Sequence, residues 1–308
     1  MRFKQKSLVI ILGPTAVGKS AVAVQVAKKF KGEVINCDSM QVYKGFDIGT
    51  DKISPEKMEG IAHHLLDFVD PSYQFTAADF IRHTLAALED IHSRKKLPVI
   101  TGGTGLYLKT LLEGLFPDGG KDSRIRKILE DETEKKGLEY QWKILLDIDP
   151  IYAEKIGPND RIRIVRALEV FYATNKTLTE HFAGTEPFLK DFFIVKIGLK
   201  MERPLLYTRI EARVDKMFEK GIVQETKALL KSGIEAGAPP FRALGYKHVL
   251  AFLQHKITLD EAVCMTKIDT RHYAKRQMTW FRKMNGIMWF PAEKKEDILS
   301  CLEEILIK

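Results

Sequence analysis

Cysteine is nearly absent from this chain: Cys37, Cys264 and Cys301 lie far apart and form no Cys-x-x-Cys pair. A disulfide framework and a zinc knuckle are therefore excluded, and a reducing compartment fits. Long apolar runs are missing too. Nothing approaches the roughly 18 residues of a membrane-spanning helix, and the short apolar stretch after the basic N-terminus is ended by Gly13-Pro14-Thr15. It reads as the lead-in to a strand rather than as an anchor. No internal repeat and no low-complexity tract occurs. A cytoplasmic protein with no membrane contact is expected.

What is present is an ordinary globular composition with a basic balance. The 308 residues include 49 Lys and Arg against 41 Asp and Glu, a net charge of +8. That suits a polyanionic partner without naming one. Residues 115–192 carry slightly more acids than bases, so the basic surplus belongs to the remainder.

The apolar pattern predicts an α/β fold. Residues 7–12 (SLVIIL) form a continuous β-branched run, as expected of a strand buried on both faces of a parallel sheet. A helix is expected at 19–30 with Val22, Val26 and Ala27 inward, then strands at 33–37 and, more weakly, 65–69. Thr76 reads as the N-cap of a helix reaching Arg94, since Phe80, Leu85, Leu88 and Ile91 recur at helical spacing. Another buried strand is expected at 97–101 and further ones at 193–199 and 286–290. Between them, 115–192 reads as short polar helices. The expected organisation is a core of 1–114 with 193–308, interrupted by a helical insertion domain of 115–192.

Residues 13–20, Gly13-Pro14-Thr15-Ala16-Val17-Gly18-Lys19-Ser20, match G-x-x-x-x-G-K-[ST] between a strand and a helix. Such a loop turns several backbone N–H groups and a helix N-terminus toward one anion, and Lys19 adds a point charge. Ser20 is the expected Mg²⁺ ligand. The loop does not say which phosphate it takes. Residues 97–101 end in Thr and Gly where an NTPase usually places an acid, which weakens the case for ATP hydrolysis.

Asp38, Ser39, Met40 and Gln41 follow the second strand. Asp38 suits a metal ligand, a turn cap or a general base. Gln41 offers both donor and acceptor to an adenine edge. Thr104, in GGTGL, suits phosphate, an acceptor base or a turn cap. Arg161, Arg163 and Arg166 open a helix capped by Asn159 or Asp160, and suit either RNA or pairing with Glu169. From Arg271 to Lys283 there are five basic residues and no acid. Arg271, Lys275 and Arg282 fall within roughly 40° of one another on a helix, with Tyr273, Gln277, Trp280 and Met284 opposite. That one-sided stripe suits a phosphate backbone, with Trp280 read as core first and base-stacking second. Phe241, Arg242 and Tyr246 could line the same channel or join two helices.

GPTAVGKS, DSMQVYKG, GGTGLYL, RIVRALEV, FRALGY and KRQMTWFRK occur in this order, and together resemble the tRNA dimethylallyltransferase family over essentially the whole chain. The resemblance implies a P-loop NTPase-like parallel sheet flanked by helices, with a helical insertion domain. It further implies transfer of dimethylallyl from dimethylallyl diphosphate to the exocyclic amine of the adenosine 3′ of the anticodon, with Mg²⁺ and the tRNA anticodon stem-loop as partners. Residues 15–20 would take the diphosphate, with Lys19, Asp38 and Thr104 catalytic and Asp38 the base. Asp38, Ser39, Met40, Gln41, Thr104, Arg126, Ile162, Arg163, Arg166, Arg242, Lys275, Arg276, Gln277 and Arg282 would meet tRNA. The variable surroundings of Arg126 and Arg213 leave their register to the family pattern open. A monomer is expected. Other readings of the same residues are an adenylate prenyltransferase, a P-loop small-molecule kinase and a non-catalytic RNA-binding protein.

Overall fold

The computed structural model describes residues 6–116 and 122–307; positions 1–5 of the expected lead-in, 117–121 of the expected insertion and Lys308 lie outside them. The chain divides into two compact units, residues 1–108 with 191–308, and residues 109–190.

The first unit is built on strands β1 (Ser7–Leu12), β2 (Gly32–Cys37), β3 (His63–His64), β4 (Leu97–Gly102), β5 (Phe193–Lys200) and β6 (Ile287–Pro291). Their order is β3-β2-β4-β1-β5-β6 and every pairing is parallel. All six residues of β1, β2 and β4 are buried, which is why β1 reads as an unbroken apolar run and none of the three shows a polar outer face. Helix α1 (Lys19–Lys29) supplies Val22, Val26 and Ala27 to a cluster with Val9, Ile11, Val34 and Val99. Short α2 (Pro55–Met58) precedes β3.

Helix α3 (Ala77–Ser93) begins at a capping box in which Thr76 and Asp79 satisfy each other's backbone N–H, as Thr76 promised. Its Phe80, Leu88 and Ile91 are fully buried. The third strand differs from expectation. Leu65 and Asp67 take left-handed φ values of 58° and 54°, which no strand tolerates. The strand is thus confined to His63–His64, and Val69 meets Tyr43 in an isolated bridge.

The boundary between the units falls inside α4 (Gly105–Glu113). Among the described residues the second unit is helical: α5 (Ser123–Lys136), α6 (Leu138–Ile148), α7 (Pro150–Ile156), α8 (Arg161–Thr174) and α9 (Leu178–Ala183). Leu129, Leu145, Ala153, Ile164, Leu168 and Leu178 close its own core. The first unit continues with α10 (Arg203–Glu219), α11 (Ile222–Lys231), α12 (Leu244–Leu253), α13 (Leu259–Phe281) and α14 (Lys295–Ile307). Leu206 and Ile210 of α10 and Ile298, Leu302 and Leu306 of α14 join the sheet core.

Glu33, at the amino end of β2, is only 3% exposed. Arg94 grips both its oxygens, Lys96 donates at 2.7 Å and His64 lies at 2.7 Å. These bonds, Arg94's foremost, hold the carboxyl well below the ordinary value near 4.5. The stabilisation is therefore complete above pH 4.5 and is lost as pH falls toward the depressed folded value. Glu33→Gln should cost about 2 kcal/mol at pH 7, the scale of hydrogen bonds to a buried charged group. In denaturant melts that gap between wild type and variant should narrow below pH 4.5; a gap independent of pH would show that the charge contributes nothing.

Candidate active site

Parallel pairing puts the carboxyl ends of the strands on one edge. Leu12 and Cys37 are both register partners of Gly102, so the turns after β1, β2 and β4 start level, each about 4.8 Å from the next strand. Gly13, Asp38 and Gly103 are the first residues of those turns. A cavity of about 820 Å³ opens there, lined by Thr15, Lys19, Ser20, Asp38, Gln41 and Arg213, among others.

The loop of 13–20 is a wrapped turn. Gly13, Ala16 and Gly18 have φ of 150°, 63° and 103°. A Cβ on Gly13 would sit 2.7 Å from the carbonyl oxygen of Leu199 on β5, so only glycine fits. Lys19 Nζ donates to Pro14 O at 2.8 Å, and Ser20, in the first turn of α1, is exposed at the cavity. Burial lowers the Lys19 pKa to about 8, with Asp38 opposing the shift.

Asp38 fills one of its expected roles, the turn cap. Oδ1 accepts from Met40 N at 2.8 Å and Gln41 N at 3.3 Å, capping the turn. Oδ2 has no hydrogen-bond partner among the described residues, leaving a carboxylate oxygen available at the cavity. The Thr104 hydroxyl accepts from Ser39 N at 3.0 Å, linking the second and third turns. Gln41 is held from one side. Its Nε2 donates to Thr50 O at 3.0 Å, so its donor is spent on a neighbouring loop. That loop is clamped: Glu225 on α11 accepts from Asp47 N at 3.1 Å and Ile48 N at 2.9 Å and from the Tyr246 hydroxyl.

Three motifs expected to touch RNA are partly structural. Phe241 and Tyr246 are buried and pack edge-on against Phe46, which leaves Arg242 as the exposed residue of that trio. Gln277 is 4% exposed. Its Oε1 accepts from Thr15 N at 2.7 Å and its Nε2 donates to Gly103 O at 3.0 Å, bridging the first and third turns. Gly103 is glycine for that reason, since a Cβ would collide with the Gln277 amide. Thr15 thus contributes its N–H to Gln277, and its hydroxyl accepts from Arg213 at 2.8 Å. Trp280, expected in the core, is 41% exposed and lies against Gly105. Arg271 is not a free cation either, because Glu211 of α10 pairs with it at 3.0 Å. Lys275, Arg276 and Arg282 are exposed and have no ion pair among the described residues.

In the helical unit Arg163 pairs with Asp160 at the α8 N-cap and Arg126 with Glu130 at 3.0 Å. Arg166 holds the buried Glu169 at 2.9 Å, the structural alternative for that residue. Ile162 is 74% exposed.

Sequence reasoning left Arg213 unplaced, and the fold brings it to the phosphate loop, where Asp51 also approaches its Nε at 3.2 Å without hydrogen-bond geometry. Thr101, one residue before the end of β4, was read only as a missing acid. Its hydroxyl is buried at the cavity with no partner. Tyr273, on α13, lines the same cavity, and burial followed by Asp38 raises its pKa. Helical spacing put Tyr273 on the side of α13 away from the basic stripe, but nothing in the spacing brought any of the three to this cavity, because each reaches it through tertiary packing.

Gln277→Leu removes two buried hydrogen bonds and should lower stability by about 1–3 kcal/mol. It should also weaken binding of inorganic pyrophosphate at least tenfold by calorimetry. A variant that lost stability but kept pyrophosphate affinity would show that the bridge does not shape the loop.

The sequence matches the family model described as IPP transferase over residues 41–284. It is 45% identical to the tRNA dimethylallyltransferase of Geobacter metallireducens over 306 residues, 97% of this chain and 98% of that one. It is 47% identical to tRNA dimethylallyltransferase 2 of Geotalea uraniireducens, over 92% of this chain and 91% of that one. Its fold is similar to the crystal structure of the full-length tRNA isopentenylpyrophosphate transferase from Bacillus halodurans, with TM-score 0.73, 40% identity and coverage of 98% and 97%. A eukaryotic dimethylallyltransferase captured acting on tRNA is similar at TM-score 0.81 and 35% identity, over 97% of this chain and 76% of that one. A P-loop ahead of parallel strands, a carboxylate on the same edge and near-complete alignment with these relatives agree: the chain belongs to the IPP transferase family.

Proposed function

We propose that this protein transfers a dimethylallyl group from dimethylallyl diphosphate to the N6 amine of the adenosine 3′-adjacent to the anticodon in tRNA, releasing diphosphate. The observation that carries the reading is the single cavity shared by the loop of 13–20, Arg213 and the carboxylate of Asp38.

An adenine amine is a weak nucleophile because its lone pair is delocalised into the ring. Transfer therefore needs a proton acceptor on one side and a stabilised leaving group on the other. Asp38 Oδ2 is the acceptor, held in place because Oδ1 is fixed by two backbone N–H groups. Lys19, Arg213 and the remaining loop N–H groups neutralise the diphosphate as the allylic carbon–oxygen bond breaks. Thr104 and Gln41 orient the acceptor base, Gln41 with its Oε1 alone. Trp280, exposed against Gly105, offers a face on which a base stacks.

Mg²⁺ fits the oxygen donors present: the exposed hydroxyl of Ser20, Asp38 Oδ2 and the unpartnered hydroxyl of Thr101. Among the described residues no group of three His, Cys, Asp or Glu could hold a metal by itself. That is the usual setting of Mg²⁺, which relies on substrate phosphates. When bound it supplies charge neutralisation on the diphosphate.

Lys275, Arg276, Arg282 and Arg242 are the proposed tRNA cations of the first unit. In the second, Ile162, Arg163 and Arg126 are proposed contacts. The exposed pairs of Arg163 and Arg126 are worth about 0.3–0.5 kcal/mol each, so exchanging them for a phosphate costs little. Arg166 stays with Glu169. No helix among the described residues is long and apolar enough to cross a membrane. We place the reaction in the cytoplasm, and a monomer carries every group named.

Asp38→Asn should lower kcat about 10²–10⁴-fold, the usual contribution of a general base, while the Kd for an unmodified anticodon stem-loop changes less than about threefold. Single-turnover transfer with nucleoside analysis reads the first and filter binding the second. Wild-type turnover in the variant would assign the base elsewhere. A second outcome concerns Lys19. Burial favours its neutral form above pH about 8, so the charge is present below that pH and lost above it. Because kcat/KM reports the free enzyme, its value for the prenyl donor should fall above pH about 8. A profile flat to pH about 9.5 would remove Lys19 from donor recognition.

A further inference from the structure

Helix α10 is sorted by charge in a way the sequence pattern did not announce. At about 100° per residue, Arg209, Arg213, Lys216 and the C-capping Lys220 lie within roughly 60° of one another. Glu211 and Asp215 fall on the opposite side of the same helix, and Glu219 on its flank. Two of those acids are consumed by α13: Glu211 pairs with Arg271 at 3.0 Å and Asp215 with Lys267 at 2.6 Å. The basic face instead lines the cavity that holds Lys19 and Asp38.

Most of that face is uncommitted. Arg213 is engaged by Thr15 and Asp51 at the loop. Arg209 touches only Met201 Sδ, at 3.9 Å, and Lys216 and Lys220 have no side-chain partner among the described residues. Of the carboxylates at the same cavity, Asp47 pairs with Lys52 and Glu59 with Lys28, Asp51 approaches Arg213, and Asp38 keeps one oxygen free beside Lys19. Lys57 and Lys295 add further positive charge to the lining. A merely solvated helix face mixes signs, and this one does not.

From Arg209 to Lys220 the stripe runs about 16 Å at 1.5 Å per residue, much longer than a diphosphate. It therefore serves approach rather than one bound pose. We infer that the Arg209, Lys216 and Lys220 face of α10 is a capture track that draws the diphosphate end of the prenyl donor toward Arg213 and Lys19. The inference rests on the proposed reaction for the donor's identity; the diphosphate chemistry rests on the charges and the loop. Fixed charges at the mouth of a cleft raise the association rate of an oppositely charged ligand and lose that advantage as salt screens them.

The test is the exposed pair reversed, Lys216→Glu with Lys220→Glu, alongside the milder Lys216→Gln with Lys220→Gln. At 50 mM salt the reversal should lower kcat/KM for dimethylallyl diphosphate by about tenfold, the lower end of electrostatic steering effects, and the glutamines by less. The deficit should shrink at roughly 0.3 M salt, where the Debye length is near 6 Å, and should fall on kcat/KM for the donor rather than on kcat at saturating donor or on KM for tRNA. Binding of Mg²⁺-pyrophosphate to the same proteins, read by stopped flow and calorimetry, should slow in parallel. An unchanged pyrophosphate association rate in both variants overturns the track, and a loss confined to the tRNA KM assigns the stripe to RNA and overturns it equally. If wild type transfers no prenyl group to tRNA, the proposed reaction fails, while the pyrophosphate rates still decide the track.

Discussion

The site depends first on strand register. Because β1 and β2 both pair in parallel with β4, with Leu12 and Cys37 opposite Gly102, three turns leave the sheet at one height. One offers backbone N–H groups and Lys19, one a carboxylate, one a hydroxyl. A slip of a single residue would invert every side chain of a strand and displace its turn. The slip is prevented by burial of β1, β2 and β4 on both faces. The apolar residues that carry no chemistry thus fix the spacing between those that do.

Register alone leaves the turns free to move, and the helices after β5 supply the restraint. Gln277 spans from Thr15 to Gly103, and Glu225 with Tyr246 holds the loop whose Thr50 carbonyl orients Gln41. Gln277 and Tyr246 are buried and Glu225 is half-buried, and such hydrogen-bonded polar groups rigidify a site because any alternative geometry leaves a donor or acceptor unpaired. Motifs that read as surface for RNA are consequently two-sided. In KRQMTWFR the exposed residues are Lys275, Arg276, Thr279, Trp280 and Arg282, while Gln277 and Phe281 face inward. In FRALGY only Arg242 and half-buried Leu244 escape the interior.

Much of this was legible in the residues. The phosphate loop, the four long strands and the Thr76 cap are local in origin: a glycine pattern, a β-branched run or one hydroxyl placed before a helix specifies them. The short third strand was misplaced, because apolar content at 65–69 does not reveal the left-handed turns at Leu65 and Asp67. Periodicity located the polar face of α13 but could not show that Glu211 waits opposite Arg271, nor that Gln277 is buried on its other side. Arg213 and Thr101 lay beyond reach for the same reason. Their roles are set by what a distant segment brings to them, and one helix or strand considered alone carries no trace of its neighbour.

Charge distribution follows the same logic. The excess of +8 is not spread evenly around the site, since Glu211 and Asp215 of α10 are spent on α13, and Asp47 and Glu59 on Lys52 and Lys28. Among the described cations near the site, one unpaired group lies on α10, beside the phosphate loop, and another on the C-terminal part of α13, beside the turn that holds Thr104. Two anionic substrates of very different size would otherwise compete for one positive surface. Under the proposed reaction, separate stripes on two helices would let a small diphosphate and a long phosphate backbone each find its own cations, with Asp38 between them.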